Sequence, residues 1–320
     1  MTRQSGDGGS AGTARWSNSG EEMAKGGQGV VFRSNSGEAP EDHPLAPSGG
    51  SDGTGAKRIA GAFAAAKAEG RAALMPYMMA GYPDRESSLV VAEAYAENGA
   101  DLVELGVPFS DPLADGPTIH AAATAALEAG ATLETAIELC EAISDRVPVV
   151  FMVYANMLLA QGGAERFAER AVEADACGAI VPDLPLEEAE PVRAVFAEAG
   201  LTLVPLVAPT TPAERRAQIC SVAQGFVYVV STVGTTGERD EIPAQLADLV
   251  AAAKAEADVP VAVGFGIGTP QQAAQVGQLA DGVIIGSRLV RAAGEAGSPE
   301  DAAEAIASFL RETRDALASG

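Results

Sequence analysis

Two acidic residues, Glu104 and Asp115, lie eleven positions apart in a segment that is otherwise mostly apolar residues, glycine and proline, ELGVPFSDPLADGPTI. Glu104 lies near the end of an apolar run, Leu102–Leu105, which predicts a β-strand. Asp115 lies in the proline-rich loop that follows this run. Two carboxyl groups in different environments can divide the roles of general acid and general base. If the strand belongs to a barrel, both groups lie at its mouth, so the segment predicts an acid–base site.

A second kind of chemistry is predicted by glycines in the segments STVGTTGERDEI, VGFGIGTP and IIGSRLV, which follow the last three predicted strands. Glycine lets the backbone approach an anion closely, and a helix N-terminus presents free N–H groups. The alternative is that each glycine only serves a tight turn. Because three consecutive strand ends share the pattern, we predict a phosphate cradle made by Gly237, Gly266, Gly286 and Ser287.

The elements that must position these residues alternate along the chain from Lys57 onward. Short apolar runs, which predict strands, are separated by longer amphipathic segments rich in Ala and Glu, which predict helices. Eight strands are predicted: Leu74–Met79, Leu102–Leu105, Val149–Tyr154, Ala179–Val181, Leu203–Val207, Phe226–Val230, Val261–Val263 and Val283–Ile285. Helices are predicted at Lys57–Glu69, Glu86–Asn98, Leu133–Ser144, Ala164–Asp175, Glu187–Ala199, Pro212–Val222, Ile242–Ala257, Thr269–Leu279 and Ser298–Leu317.

This alternation predicts an α/β fold with a parallel sheet and right-handed crossovers. Eight units within residues 57–320 match the usual size of a (β/α)8 TIM barrel, about 250 residues. A doubly wound open sheet is the main competitor. The chemistry at the strand ends favours the closed barrel, with an extra N-terminal helix before the first strand. We therefore predict a catalytic TIM-barrel domain over residues 57–320.

Residues 1–56 differ from the rest of the chain, since they are rich in glycine and serine and have no hydrophobic periodicity. Four basic and seven acidic residues are spread through them. We predict a disordered leader here. A transit peptide is the functional alternative, but the acidic residues argue against it.

Composition excludes several functions. The chain has 21 basic and 44 acidic residues, a formal net charge of −23, so nucleic acid and anionic membrane surfaces are not predicted partners. The acidity fits either ordinary solubility or a salty environment. The odd count of three cysteines, Cys140, Cys177 and Cys220, predicts buried reduced thiols and a cytoplasmic protein. With two histidines and no cluster of ligands, no metal site is predicted.

Several segments resemble the tryptophan synthase alpha chain family, and the resemblance covers residues 57 to about 315 in the family's order. The family cleaves indole-3-glycerol phosphate into indole and glyceraldehyde 3-phosphate by a retro-aldol reaction, and it is a family of TIM barrels. The segments that carry the resemblance are ELGVPFSDPLADGPTI, PYMMAGYPD, MVYAN, VPDLPLEE, the GTTG loop and GFGI.

The resemblance implies roles for individual residues. Glu104 matches the family's catalytic glutamate, a general acid and base, and Asp115 matches the aspartate that accepts the indole N–H. Thr236 matches the threonine of a mobile lid, although Thr232 and Thr235 depart from the residues that are common there. The residues that match the wall of the substrate pocket are Tyr77, Met152, Tyr154, Ile180 and Tyr228, and for each aromatic residue core packing is the alternative.

The resemblance also implies a partner. The loop residues Pro108, Phe109, Asp111 and Pro112 match the surface that faces the beta chain in an α2β2 complex, although a rigid turn is the alternative role for them. No cofactor is implied in this chain, because pyridoxal phosphate belongs to the beta chain. A stand-alone lyase, a non-enzymatic activator of a beta chain and a sugar-phosphate isomerase are the other functions considered. The two acids and the complete partner loop favour the alpha-chain lyase.

Overall fold

The computed structural model describes residues 54–160, 162–231, 245–264 and 266–319, and the strands of these residues belong to one parallel sheet. The order of strands in the sheet is β5-β4-β3-β2-β1-β9-β8-β7-β6. The strands are β1 (Ala73–Met79), β2 (Val103–Gly106), β3 (Val149–Met152), β4 (Gly178–Ile180), β5 (Thr202–Val204), β6 (Leu206–Val207), β7 (Val227–Val230), β8 (Val261–Gly264) and β9 (Gly282–Ile285).

The two edge strands, β5 and β6, are halves of a single extended run that is interrupted at Pro205. Proline has no N–H and therefore cannot donate to the ladder at this position. The Pro205 carbonyl still accepts a hydrogen bond of 3.0 Å from the N–H of Tyr228 on β7. The sheet therefore closes on itself, and the predicted (β/α)8 barrel is confirmed. The predicted strand Leu203–Val207 was correct in position but is split in two.

Helices follow the strands and cover the outside of the barrel. They are α1 (Thr54–Ala68), α2 (Arg85–Glu97), α3 (Pro117–Glu128), α4 (Leu133–Ile143), α5 (Ala155–Leu159), α6 (Gly163–Glu173), α7 (Leu186–Ala199), α8 (Ala213–Ser221), α9 (Leu246–Glu256), α10 (Pro270–Gly277), α11 (Ser287–Glu295) and α12 (Pro299–Ser319).

Helix α1 is the predicted extra N-terminal helix, and it closes the bottom of the barrel. Its side chains Ile59 and Phe63 are buried in the same cluster as residues at the lower ends of the strands. The ring of Phe63 lies 5.8 Å from that of Phe226, just before β7. Residues 1–53 lie outside the described part of the chain, so the disordered leader and its boundary stay predictions.

The alternation of side chains along each strand divides the buried apolar residues between the outside and the inside of the barrel. Val103 and Leu105 of β2 pack outward against the helices, in the larger cluster. Val150 of β3 packs inside the barrel. With α1 closing the lower end, the open end is the one formed by the C-terminal ends of the strands, where such barrels carry their active sites.

Candidate active site

Glu104 lies on β2 and has an exposed fraction of only 1%. It is paired in register with Tyr77 on β1 and with Val150 on β3. Since its neighbours Val103 and Leu105 face the outer core, the Glu104 side chain points into the barrel. Its atom Oε2 is buried and has no hydrogen-bond partner among the described residues. A buried carboxyl oxygen without a partner is available to a ligand in the barrel mouth.

The environment of Glu104 favours the protonated carboxyl group. Burial, and secondly the negative charge of Asp115, raise the pKa of Glu104 to about 8. Loss of hydration disfavours the charged form of any carboxyl group, and a like charge adds to that effect. Glu104 is therefore a proton donor at neutral pH.

Asp115 lies in the loop between β2 and α3, two residues before the helix begins at Pro117. Burial raises its pKa to about 6, while a hydrogen bond from the Tyr154 hydroxyl and the charge of His120 act in the opposite direction. Asp115 is therefore mainly ionised at neutral pH, where Glu104 is mainly protonated. The difference between their pKa values gives the two carboxyl groups different roles, since Glu104 can donate a proton and Asp115 can accept a hydrogen bond.

Both carboxyl groups line one cavity at the barrel mouth, which encloses about 580 Å³ of space, including solvent at its opening. The described residues of its wall are Tyr77, Glu104, Ala114, Asp115, Ile119, Met152, Pro182, Leu206, Tyr228, Gly266, Ile267, Ile284, Gly286 and Ser287.

Two tyrosines of this wall lie against glycines on neighbouring strands. The Tyr77 hydroxyl on β1 occupies the space beside Gly106 on β2 that a Cβ atom would need. The Tyr228 hydroxyl on β7 lies in the same way against Gly264 on β8. Burial raises the pKa of both tyrosines, so they remain neutral. The two glycines thus leave room for the side chains of Tyr77 and Tyr228 at the cavity wall.

One end of the cavity is formed by Gly266, Gly286 and Ser287. Gly266 has a φ of +84°, a left-handed conformation that glycine adopts without strain. Gly286 precedes the first turn of α11, which begins at Ser287, so free backbone N–H groups and the positive end of the helix dipole lie here. Thr236 and Gly237, which were predicted to join this part of the site, lie outside the described residues.

Two residues predicted for the pocket wall, Ile180 and Tyr154, are not among the described residues that line this cavity. Ile180 on β4 is fully buried in the core inside the barrel. Tyr154 was predicted to lie in a strand, but β3 ends at Met152, and Tyr154 instead precedes helix α5. Its hydroxyl accepts a hydrogen bond of 3.1 Å from the Ala114 N–H and is hydrogen-bonded to Asp115. Tyr154 thus contacts Ala114 and Asp115, which themselves line the cavity.

The sequence analysis missed several aliphatic wall residues. Ile119 lies on α3, which was not predicted although Pro117 at its first turn and the alanine-rich run after it are typical helix signals. Leu206 comes directly after the proline that splits the fifth strand. The other members of this group are Ala114, Pro182, Ile267 and Ile284.

The predicted partner loop follows β2. Pro108 is buried, Phe109 and Pro112 are half-buried, and Asp111 is exposed. Leu113 in the same loop has an exposed fraction of 82%, and Leu159 at the end of α5 has one of 49%. Because β2 and β3 are neighbours, these apolar side chains follow adjacent strands at the same end of the barrel.

In the described ranges, no group of His, Cys, Asp and Glu residues is placed to hold a metal ion. No helix in that part of the chain is long and apolar enough to span a bilayer. All three cysteines are buried and free of disulfides.

The fold and the cavity define a (β/α)8-barrel enzyme with an acid–base pair of carboxyl groups at the ends of its strands. A model of the tryptophan synthase alpha chain family matches residues 63–318. The chain belongs to the tryptophan synthase alpha chain family. Members of this family are carbon–carbon lyases of tryptophan biosynthesis.

Individual relatives agree with this assignment. The chain is 47% identical over 263 residues to the tryptophan synthase alpha chain of Prochlorococcus marinus (strain MIT 9313), covering 81% of this chain and 94% of the relative. It is 48% identical over 262 residues to that of Synechococcus sp. (strain CC9902), covering 80% and 97%. Among solved structures, Mycobacterium tuberculosis tryptophan synthase matches with 39% identity and a TM-score of 0.76, covering 82% and 99%. Tryptophan synthase subunit alpha of Legionella pneumophila str. Paris matches with 37% identity and a TM-score of 0.73, covering 82% and 99%.

Proposed function

We propose that this chain cleaves indole-3-glycerol phosphate to indole and glyceraldehyde 3-phosphate, with Glu104 as general acid and base. Asp115 accepts the indole N–H and stabilises positive charge on the ring. The observation that carries the proposal is that one cavity is lined by both Glu104 and Asp115, whose pKa values are raised to about 8 and about 6, and by glycines of two neighbouring strand ends. Family membership supports the same reaction.

The reaction needs two proton transfers and no redox step. Glu104 donates its proton to indole C3, and the negative charge of Asp115 stabilises the indoleninium-like cation that results. Removal of the proton from the C3′ hydroxyl then lets the bond between indole C3 and C3′ break. The carbon that carried the hydroxyl becomes the aldehyde, and the bonding electrons return to the ring. The ionised Glu104 takes up the hydroxyl proton and is ready for another turnover.

The substrate phosphate fits the end of the cavity formed by Gly266, Gly286 and Ser287. None of the described residues lining this cavity is Lys or Arg, so backbone N–H groups and the α11 dipole supply the attraction. Gly237 completes this cradle in the proposal, and Thr236 belongs to a lid that closes over it. The indole ring lies among Tyr77, Tyr228 and aliphatic residues of the wall.

We further propose that the loop after β2 docks on a tryptophan synthase beta chain in an α2β2 complex. Leu113 and Leu159, which are 82% and 49% exposed at the same end of the barrel, support this proposal because grouped exposed apolar side chains are typical of protein–protein contacts. Pyridoxal phosphate belongs to the beta chain, and the proton transfers proposed here need no cofactor. The buried free cysteines support a cytoplasmic location.

Product analysis tests the reaction. The purified chain is incubated with indole-3-glycerol phosphate, and both products are quantified by independent assays. Equal amounts of indole and glyceraldehyde 3-phosphate are expected, with kcat reduced at least about hundredfold in Asp115→Asn. A phosphate-bearing product other than glyceraldehyde 3-phosphate would contradict the proposal.

Sedimentation with a beta chain tests the partner. Leu113→Asp should weaken the complex at least about tenfold, because it places a charge in an apolar contact. Leu89→Asp on α2, where the side chain is 38% exposed, is the matched control and should bind as the wild type does. Equal binding by the two variants would remove the loop from the interface.

A further inference from the structure

Tyr154 lies between two segments of the loop that connects β2 to α3. On one side its ring stacks on that of Phe109, with centroids 5.0 Å apart and an angle of 28° between the rings. Its own backbone is held by the first turn of α5, where the N–H of Ala155 donates to Asp183 Oδ1 at 2.8 Å. The side chain has an exposed fraction of only 3%. Tyr154 is therefore a fixed point beside a loop that has no regular structure.

The hydroxyl of Tyr154 joins this fixed point to Asp115. It accepts a hydrogen bond of 3.1 Å from the Ala114 N–H and donates one to the Asp115 carboxylate. Burial, followed by the charge of Asp115, raises the pKa of Tyr154, so the hydroxyl keeps its proton and remains a donor. A carboxylate has several acceptor positions, so Asp115 can accept from Tyr154 and still accept from a substrate N–H.

We propose that Tyr154 is a positioning residue, which orients the Asp115 carboxylate toward the indole N–H and keeps it ionised, and that the Phe109 ring holds Tyr154 in place. This inference rests on the proposed function, in which Asp115 must carry a negative charge. It assigns Tyr154 a role different from the pocket wall that the sequence predicted. It also gives Phe109 a task inside this chain, in addition to any contact with a partner.

The charge state of Asp115 depends on every titratable group that acts on it. Glu104 on β2 approaches from inside the barrel, His120 from α3 and Tyr154 from the end of β3. The charge of Asp115 also contributes to the raised pKa of Tyr77 on β1 and of Tyr228 on β7. Among these groups, the hydrogen bond from Tyr154 is the strongest influence that favours the ionised form. Its removal should shift the titration of Asp115 to higher pH.

The test is Tyr154→Phe, which keeps the ring and its stacking but removes the hydroxyl. Titration of the Asp115 carboxyl carbon by NMR with ¹³C-labelled aspartate, assigned by the signal that Asp115→Asn removes, measures the effect without any substrate. The Asp115 titration should move to higher pH in Tyr154→Phe. Phe109→Leu, which keeps the hydroxyl but loses the stacking, should move it in the same direction by a smaller amount.

Tyr95→Phe is the matched control, since Tyr95 is a buried tyrosine whose hydroxyl donates to the Tyr77 carbonyl at 3.0 Å. It should leave the Asp115 titration unchanged. In the indole-release assay, kcat/KM should fall on the order of tenfold in Tyr154→Phe at neutral pH, with its acid limb displaced upward. An unchanged Asp115 titration in Tyr154→Phe would overturn the role of Tyr154. A wild-type chain that releases no indole would instead overturn the proposed function.

Discussion

The hydroxyl of Tyr77 fills the space that a side chain on Gly106 would occupy. A Cβ atom at position 106 would overlap this oxygen and lie 2.6 Å from Cζ of the ring. Tyr77 on β1 is the register partner of Glu104 on β2. Glu104 precedes Gly106 by two residues on β2. The position of the aromatic ring beside Glu104 therefore depends on the absence of a side chain at Gly106.

Gly106→Ala should displace the Tyr77 ring and lower kcat/KM on the order of tenfold to hundredfold, because small displacements of positioning groups are costly in catalysis. Steady-state kinetics of indole release measures the effect. Gly61→Ala in α1 is the control, since a Cβ there meets no atom within 4 Å. Wild-type kinetics in Gly106→Ala would show that the ring position is unimportant.

The glycine-lined end of the cavity predicts an effect on substrate binding. Gly266→Ala imposes a side chain on a backbone with φ of +84° and should raise KM about tenfold with a smaller change in kcat. Gly130→Ala, at φ of +86° where a Cβ meets nothing within 4 Å, shares the strain but lies outside the cavity. Inhibition by inorganic phosphate should weaken only in Gly266→Ala. Equal inhibition of both variants would contradict the cradle.

The two raised pKa values predict a bell-shaped pH profile of kcat/KM. Activity should rise as pH passes about 6, where Asp115 ionises, and should fall as pH passes about 8, where Glu104 loses its proton. The substrate phosphate also titrates near pH 6, so the acid limb is compared with that of Asp115→Asn, which retains only the phosphate contribution. Activity that continues to rise above pH 8 would contradict the role of Glu104 as the initial acid.

The buried acid also predicts a cost in stability that depends on pH. Because the pKa of Glu104 is raised on folding, the folded chain holds this proton more tightly, and stability falls as pH rises from the ordinary glutamate range to about 8. Glu104→Gln removes this dependence. Its advantage over the wild type in the free energy of unfolding should grow by up to about 3 kcal/mol between pH 5 and pH 8.

Urea titrations at both pH values measure this advantage. The exposed residue Glu93 on α2 gives the control, and Glu93→Gln should show no growth in stability with pH. If the difference in the free energy of unfolding between Glu104→Gln and the wild type is the same at both pH values, folding does not raise the pKa of Glu104.

The fold could be predicted from the sequence because each strand is a short apolar run between helical segments. The exceptions have local causes. Pro205 splits the fifth strand, since one missing N–H ends the ladder without changing the apolar pattern. Helix α3 was missed because its proline and glycine neighbours resemble those of a loop. The short α5 has only five residues, too few to show a helical period.

The site could be predicted only in part. Glu104 and Asp115 were singled out by their apolar surroundings together with the family resemblance, since Asp111 is also an acid of the same segment. The direction of Tyr154 could not be predicted, because it depends on where β3 ends, and an end two residues earlier sends the ring toward Phe109 and Asp115. Ile180 was assigned to the wall by the family resemblance, and it packs inside the barrel with the wall residues Tyr228 and Ile284, so its contact with substrate stays a prediction.

We propose that the carboxyl group of Glu104 donates the proton to indole C3 that cleavage of the carbon–carbon bond requires. The most direct test of this role is the rate of indole release from indole-3-glycerol phosphate by Glu104→Gln. It is measured with and without a beta chain, and with Glu93→Gln as control. Glu104→Gln should bind the substrate but release indole at least about a thousandfold more slowly, since the amide cannot donate or accept the proton. Release of indole by Glu104→Gln at the rate of Glu93→Gln would contradict the account.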